Sequence, residues 1–265
     1  MKRTTYIIIG LMLAGLVGLV GLTIYIVRTH SAKEVKTMEC IVPLEFDSPI
    51  EEIEFLSRIE LDNGNMFSRI SVEMSDSVES PYCIIDSLIR NYVEVSVMDH
   101  RLKIEMVDEP LNGVGDKLDM MLNLYTYYNN NITLRLPSLP LKSISSDTGM
   151  KICGLNTGKV KMYSRDYLNL YNCKIDSLML TAKGTAKLTF KDSAIDYMRL
   201  HLNSNMLKID CCDSTTLIRK LDFIARKGKK TDVYLNKANI DTLRWNQTDV
   251  SQLTLRMRQP INIVK

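Results

Sequence analysis

The stretch "NCKIDSLMLTAKGTAKLTFKDSAIDYMRL", residues 172–200, contains one short pattern twice. Isoleucine, aspartate, any residue and then a hydrophobic residue follow one another from Ile175 and again from Ile195, twenty residues later. A further copy begins at Ile240, in "NIDTLRW". Recurrence at a nearly fixed spacing indicates a repeat architecture, because each repeat buries its hydrophobic residues against its neighbours.

The repeat extends over much of the C-terminal half of the chain. Each copy opens with two hydrophobic residues separated by one other residue, and a small residue comes shortly before the second half of the pattern. The leading hydrophobic residues are Met150, Leu168, Leu188, Leu207 and Val233, at spacings of 18, 20, 19 and 26. A period near twenty without a helical pattern fits stacked coils about 4.8 Å apart. We therefore predict an all-β fold containing a right-handed, single-stranded parallel β-helix of about five to six coils.

Alignment of the copies predicts which residues stack on one another. The predicted columns are Cys173, Ser193, Cys212 and Ala238; Ile175, Ile195 and Ile240, interrupted by Ser214; and Leu178, Met198, Leu217 and Leu243. The same alignment stacks Asp176, Asp196 and Asp241 as a surface carboxylate ladder with Thr215 between them. These aspartates could cap turns. The alternatives are an acid pair for glycoside cleavage or a cation site.

The N-terminal region contains a long uncharged segment. Residues 6–27, "YIIIGLMLAGLVGLVGLTIYIV", would reach about 33 Å as a helix, enough to cross a bilayer core. This predicts an uncleaved signal anchor, with a cleaved signal peptide as the alternative. Gly10, Ala14 and Gly18 recur every fourth residue and form a candidate packing face for a homodimer.

These signals divide the chain into six segments. They are a tail at 1–5, a transmembrane helix at 6–27, a linker at 28–50, a β-rich lead-in at 51–136, the β-helix repeats at 137–258 and a tail at 259–265. Within the lead-in, Asn63-Gly64 predicts one hairpin and the alternation around Asp99-His100 predicts a second turn between strands.

The charged and reactive residues give few indications of chemistry. A net charge of +3 gives no argument for nucleic acid. Arg226, Lys227, Lys229 and Lys230 predict a protruding loop, either a solvated turn or a contact for anionic lipid, lipopolysaccharide or acidic glycan. No aromatic residues interleave with them, as nucleic-acid binding would favour. No catalytic, metal or cofactor pattern is found. Of the adjacent Cys211 and Cys212, Cys211 is predicted to be the exposed thiol.

Several segments together resemble a known bacterial family. The strand-rich "VEVSVMDHRLKIEM", the entry "ITLRLPSLPLKSISSDTG" and the twenty-residue ladder behind a membrane anchor are similar to the auto-transporter adhesin head GIN domain family, DUF2807, over about residues 55–258. The chain departs from that family in lacking Gly-rich turns; "SDTG" at 146–149 and "KGT" at 183–185 are the nearest matches. The resemblance implies a cell-envelope protein and no established activity.

The expected function follows from this resemblance and from the anchor. We expect a non-enzymatic, single-pass protein of the bacterial inner membrane, without a cofactor. Its β-helical domain would lie in the periplasm and serve a structural or interaction role, with an envelope protein or a glycan as partner. The alternative is a glycan-binding or glycan-cleaving β-helix that uses the aspartate ladder.

Overall fold

The computed structural model describes residues 15, 18, 39–46, 48–57, 69–87, 89–107, 111, 131–165, 167–225, 230–236, 239–245, 252–257 and 262–264. The chain forms two units, Met1–Met38 and Glu39–Lys265. The predicted transmembrane segment, 6–27, lies outside the described residues except for Gly15 and Gly18. Among the residues that are described, none belongs to a helix with the length and apolarity needed to cross a membrane. In the predicted packing face, Gly18 is exposed, and Gly10 and Ala14 lie outside the described residues.

The second unit is built from β-strands, which confirms the all-β prediction. The strands are β1 (Glu39–Pro43), β2 (Glu52–Ser57), β3 (Arg69–Met74), β4 (Tyr82–Asp86), β5 (Val93–Met98), β6 (Arg101–Met106), β7 (Asn131–Leu136), β8 (Ser143–Ser146), β9 (Met150–Cys153), β10 (Asn156–Ser164), β11 (Tyr167–Tyr171), β12 (Lys174–Lys191), β13 (Ala194–Cys211), β14 (Leu217–Ala225), β15 (Lys230–Asn236), β16 (Ile240–Trp245), β17 (Gln252–Met257) and β18 (Asn262–Val264). A 3₁₀ helix, Arg90–Tyr92, precedes β5.

The strands form two parallel ladders, as a β-solenoid requires. The first ladder runs in the order β6, β2, β8, β10, β12, β13, β14, β16 and β18. The second ladder runs in the order β7, β3, β9, β11, β12, β13, β15 and β17. The long strands β12 and β13 pass through both ladders. Four consecutive turns lie between Asn156 and Asn236, with β8–β9 before them and β16–β17 after them.

A tight corner between the two ladders explains why the coils repeat. Gly154, Asn172 and Asp192 occupy equivalent corners and have left-handed backbone, with φ of 74°, 53° and 49°. Glycine, asparagine and aspartate are the residues that adopt this conformation most readily. The Gly154 N–H donates to the Tyr171 carbonyl at 2.9 Å, which joins one corner to the next coil.

Inward side chains stack in columns and fill the interior. On the first ladder the columns are Ile175, Ile195, Ile218 and Ile240; Val160, Leu178, Met198, Leu221 and Leu243; and Ile144, Met162, Leu180, Leu200 and Phe223. On the second ladder, Val72, Ile152, Leu170, Phe190 and Cys211 stack in the same way. These side chains are buried, so the interior of the described coils is a packed hydrophobic core.

The predicted columns are right in type and wrong in two registers. Ile209, rather than Leu207, stacks on Leu188, because the register shifts between Lys183 and Thr185. The second shift comes after β13, where Cys212 is exposed and does not continue the buried column of Cys173 and Ser193. Ile218, rather than Ser214, stands between Ile195 and Ile240, and Leu221 replaces Leu217. The cause is the corner at 212–216, which has five residues where the corners at 172–173 and 192–193 have two. Because this corner has three extra residues, β14 begins later in the chain than the spacing of the other repeats predicts.

The lead-in strands belong to the same ladders as the repeats. Strand β2 pairs with β6 on one side and with β8 on the other, so the coil at 52–74 lies between the coil at 101–136 and the coil at 143–153. Strands β2 and β3, which flank the predicted hairpin, belong to the first and the second ladder, and most of the hairpin falls on residues 58–68, outside the described residues. Its turn, Asn63-Gly64, lies outside the described residues.

Antiparallel strands cover the β6–β7 end of the solenoid. Strand β5 pairs with β6, while β4 pairs with β7 and β1 pairs with β4. The turn between β5 and β6 is the predicted one, and Asp99 and His100 both have positive φ there, 48° and 64°. This arrangement protects the ladder edge from further strand pairing.

Candidate functional site

The carboxylate ladder exists at the surface, but a basic residue interrupts it. Asp176 and Asp196 are exposed and lie at equivalent positions in β12 and β13. On the next strand the position belongs to Arg219, and Asp241 follows on β16. Arg219 Nε lies 3.3 Å from Asp196 Oδ1. The expected interruption by Thr215 is therefore wrong, and the aspartates lie within strands rather than capping the turns.

The corner at 212–216 contains the carboxylate that does cap a turn, and the sequence analysis missed it. Asp213 accepts hydrogen bonds from the N–H groups of Thr216 at 2.7 Å, Thr215 at 3.1 Å and Asp192 at 2.8 Å. The Thr215 hydroxyl lies 2.8 Å from carboxylate oxygens of both Asp213 and Asp192 and can donate to one of them at a time. The signal was the "DSTT" sequence, which is typical of an Asx turn.

These hydrogen bonds change the acidity of Asp213. Desolvation raises its pKa, but the hydrogen bonds from Thr215, Asp192 and Thr216 outweigh that effect and hold the pKa well below the usual range. The carboxylate therefore stays ionised and serves as a structural hydrogen-bond acceptor.

The cysteines are arranged differently from the prediction. Cys211 is fully buried in the column that contains Phe190, and Cys212 is the exposed thiol. Strand alternation does place the two side chains on opposite faces, but Cys211 occupies the inward position. Burial raises the pKa of Cys83 to about 12 and the pKa of Cys173 and Cys211 to about 11. These three are neutral core thiols.

Most of the predicted basic loop lies outside the described residues. Arg226, Lys227 and Lys229 lie outside the described residues, and the backbone of Lys230 begins β15. In the part of the chain that the structure describes, no cluster of His, Cys, Asp or Glu has the arrangement of a metal site.

A cluster around Tyr197 marks the outer surface of the first ladder. The Tyr197 hydroxyl donates to Asp222 Oδ2 at 2.7 Å and accepts from Arg199 Nε at 2.9 Å. The Arg199 guanidinium and the Lys220 ammonium lie 5.6 and 5.2 Å from the ring centre. Both distances are within the range of cation–π attraction. These contacts stabilise the outer surface, although Asp222 Oδ1 is buried and accepts no hydrogen bond from the described residues.

A shallow groove of about 740 Å³ lies on the first ladder. It is lined by Glu52, Ile53, Glu54, Arg101, Lys142, Ser143, Ser145, Lys159 and Lys161. Arg101 pairs with Glu52 at 2.8 Å and Lys142 pairs with Glu51. Most of the charged side chains in this groove therefore already have an ion-pair partner within the protein, which leaves few charges for a ligand.

A second groove, of about 630 Å³, lies on the second ladder. It is lined by Ile70, Ser71, Glu73, Thr133, Lys151, Tyr167, Asn169 and Lys187. Five strands contribute to it, β7, β3, β9, β11 and β12, and an aromatic ring lies beside neutral hydrogen-bonding groups and two lysines. Sequence reasoning missed this groove because its residues come from distant parts of the chain.

Comparison with known proteins finds solved structures whose sequences have low identity to this chain. No family model and no curated protein matches the chain. A candidate adhesin from Parabacteroides distasonis is 12% identical, with 87% of this chain and 95% of that chain covered and a TM-score of 0.47. A candidate adhesin from Parabacteroides merdae is 11% identical, with 88% and 98% covered and a TM-score of 0.45. A candidate lipid-binding protein from Parabacteroides distasonis is 14% identical, with 88% and 98% covered and a TM-score of 0.41. The resemblance to the DUF2807 family stays a prediction.

Proposed function

We propose that this chain is a non-enzymatic, membrane-anchored protein of the bacterial cell envelope. The segment 6–27 is the anchor in the inner membrane, and the β-solenoid is a rigid interaction domain in the periplasm, resembling an adhesin head. The domain acts by binding a partner on its outer faces.

The packed interior is the observation that carries the proposal. The inward columns are filled by side chains such as Leu178, Met198 and Phe223, each with an exposed fraction of 0 to 1%. Contacts with a partner must therefore form on the outward columns. Parallel ladders hold those columns at fixed spacings of about 4.8 Å, which makes each face a preorganised surface.

The aspartate column supports binding over glycan cleavage. A glycosidase needs one carboxylate as acid and a second as base or nucleophile on opposite sides of the bond. Here Asp196 is paired with Arg219, and Asp176 and Asp196 project from the same flat face of neighbouring strands. This geometry does not flank a substrate.

The anchor and the orientation are tested together by labelling Cys212. Cells that express the full chain are converted to spheroplasts and treated with a membrane-impermeant maleimide–polyethylene glycol. We expect the membrane fraction to carry a mass shift on Cys212, because this thiol is exposed. The Cys212→Ser variant is the control for slower labelling of the half-buried Cys40 and Cys153.

Two results would contradict the proposal. Labelling that requires lysis of the spheroplasts would place the domain in the cytoplasm. Recovery of the labelled chain in the released periplasmic fraction would show that the N-terminal segment does not anchor it.

A further inference from the structure

We infer that the second groove is a binding site for an acidic saccharide, in which a pyranose ring stacks on Tyr167 and a carboxylate of the ligand pairs with Lys187 or Lys151. This inference rests on the proposal that the domain acts by binding, and it names the ligand class. Its three components are a fixed aromatic platform, a row of neutral hydrogen-bonding groups and a local excess of positive charge.

The aromatic platform is fixed by a glycine. Gly149 is buried just before β9, and a Cβ atom at this position would lie 2.0 Å from Tyr167 Cε1 and 2.1 Å from Cδ1. The ring therefore lies directly against the backbone, in space that any other residue would fill. Tyr167 is half-buried and lines the groove. A ring held in this way offers a preorganised apolar surface, which costs little entropy when a ligand stacks on it.

A row of polar side chains crosses the groove beside this ring. Thr133, Ser71, Lys151 and Asn169 occupy paired positions on β7, β3, β9 and β11. Four adjacent strands span three spacings, about 14 Å, which suits a short oligosaccharide rather than a single small ion. Hydroxyl and amide groups both donate and accept hydrogen bonds, as the hydroxyls of a sugar do.

The charges of the groove favour an acidic ligand. Lys187 is exposed, is paired with Tyr167 in the ladder register, and has no ion-pair partner among the described residues. The Lys151 ammonium lies 5.3 Å from the Tyr171 ring centre, at the side of the groove. Glu73 is already paired with Arg135 at 3.1 Å, so it does not cancel these two cations. A neutral saccharide would leave both ammonium groups without an ion-pair partner among the described residues.

The test is calorimetric titration of the purified full chain with two probes, tetragalacturonate and the neutral cellotetraose. We expect tetragalacturonate to bind at least about tenfold more tightly than cellotetraose. Tyr167→Ala should weaken tetragalacturonate binding by about tenfold or more, while Tyr167→Phe, which keeps the ring, should retain it. Lys187→Gln should remove most of the preference for the acidic probe.

Matched variants separate the site from general effects on the fold. Gly149→Ala should weaken binding about as much as Tyr167→Ala, because the new methyl group displaces the ring. Tyr163→Ala removes an outward tyrosine from the first ladder and should leave affinity unchanged. Circular dichroism melting of each variant checks that the solenoid is retained.

Several outcomes would overturn the inference. They are the absence of binding by either probe, equal affinity for the two probes, an unchanged affinity in Tyr167→Ala, or an equal loss in Tyr163→Ala. None of these results alters the outcome of Cys212 labelling, so failure of the ligand assignment is distinguishable from failure of the envelope proposal.

Discussion

Arg219 Nε lies 3.3 Å from Asp196 Oδ1 on the neighbouring strand, and this pair interrupts an otherwise acidic column. Both side chains are more than half exposed, so the pair contributes only about 0–1 kcal/mol. Its larger effect is to separate the charges of Asp196 and Asp241. We expect Arg219→Asp to lower the free energy of unfolding by roughly 1 kcal/mol, because it places like charges on adjacent strands.

The Arg219 prediction is checked by urea unfolding at low and at high ionic strength. Added salt screens exposed charges, so the difference between Arg219→Asp and the parent chain should shrink at high salt. Arg219→Lys keeps the charge and serves as the control. A destabilisation that is independent of salt would show that the side chain acts by packing instead.

Two glycines four residues apart should respond oppositely to the same substitution. Gly154 has a φ of +74°, and an added Cβ would lie 2.2 Å from the backbone oxygen of Met74. We expect Gly154→Ala to lower the free energy of unfolding by more than about 2 kcal/mol, because both the conformation and the contact are unfavourable.

Gly158→Ala is the matched control for the corner. Its Cβ would meet only Asp176 Oδ2, at 3.6 Å, an ordinary contact. The variant should be neutral or more stable by about 0.4–1 kcal/mol, because alanine restricts the unfolded chain. Thermal melting of both variants measures the difference, and equal melting temperatures would contradict the role assigned to the corner at Gly154.

Ser193 joins two consecutive corners through its buried hydroxyl. Its Oγ accepts from the Cys173 N–H at 3.1 Å and lies 2.8 Å from the Lys191 carbonyl and 3.1 Å from the Leu170 carbonyl, either of which can accept its proton. We expect Ser193→Ala to lower the free energy of unfolding by about 1–3 kcal/mol, because the buried Cys173 N–H loses its partner.

Ser177→Ala is the comparison for Ser193. Ser177 is a half-buried, outward residue of β12 without a hydrogen-bonded side chain among the described residues. This change should stay within about 0.5 kcal/mol of the parent chain. Denaturant titration measures the free energy of unfolding of both variants. A larger loss in Ser177→Ala than in Ser193→Ala would contradict the prediction.

The depressed pKa of Asp213 should make stability sensitive to acid. A lowered pKa in the folded state means that the carboxylate contributes stability above the unfolded pKa of about 3.9, and that this contribution is lost as the pH falls further towards the folded value. Asp213→Asn removes the titration, so the free energy of unfolding should fall less steeply below about pH 4.

Unfolding titrations over this acid range measure the slope. Asp241→Asn is the control, since Asp241 is exposed and its carboxylate accepts no hydrogen bond from the described residues. It removes an exposed carboxylate without changing the hydrogen bonds of the corner at 212–216. An unchanged slope in Asp213→Asn would mean that the corner does not hold the carboxylate in its ionised form.

The local pattern determined the type of fold. Isoleucines at Ile175, Ile195 and Ile240 recur because each coil places one inward residue over the next, and this relationship is readable from spacing alone. Left-handed corners were also encoded locally, by Gly154, Asn172 and Asp192, and the Ile-Asp pattern follows two of them. The positions of the strands, the residues that face inward and the length of the repeat all depend on residues close together in the chain. A single sequence is therefore enough to predict them.

The tertiary structure decided which coils are neighbours. The coil at 52–74 lies between two coils that come later in the chain, and the five-residue corner at 212–216 brings Arg219 rather than Thr215 beside Asp196. The second groove exists only because Thr133, Ser71 and Tyr167 meet on one face. Pairing between coils depends on contacts between residues far apart in sequence, and the energy of those contacts is set by the whole stack rather than by any local pattern.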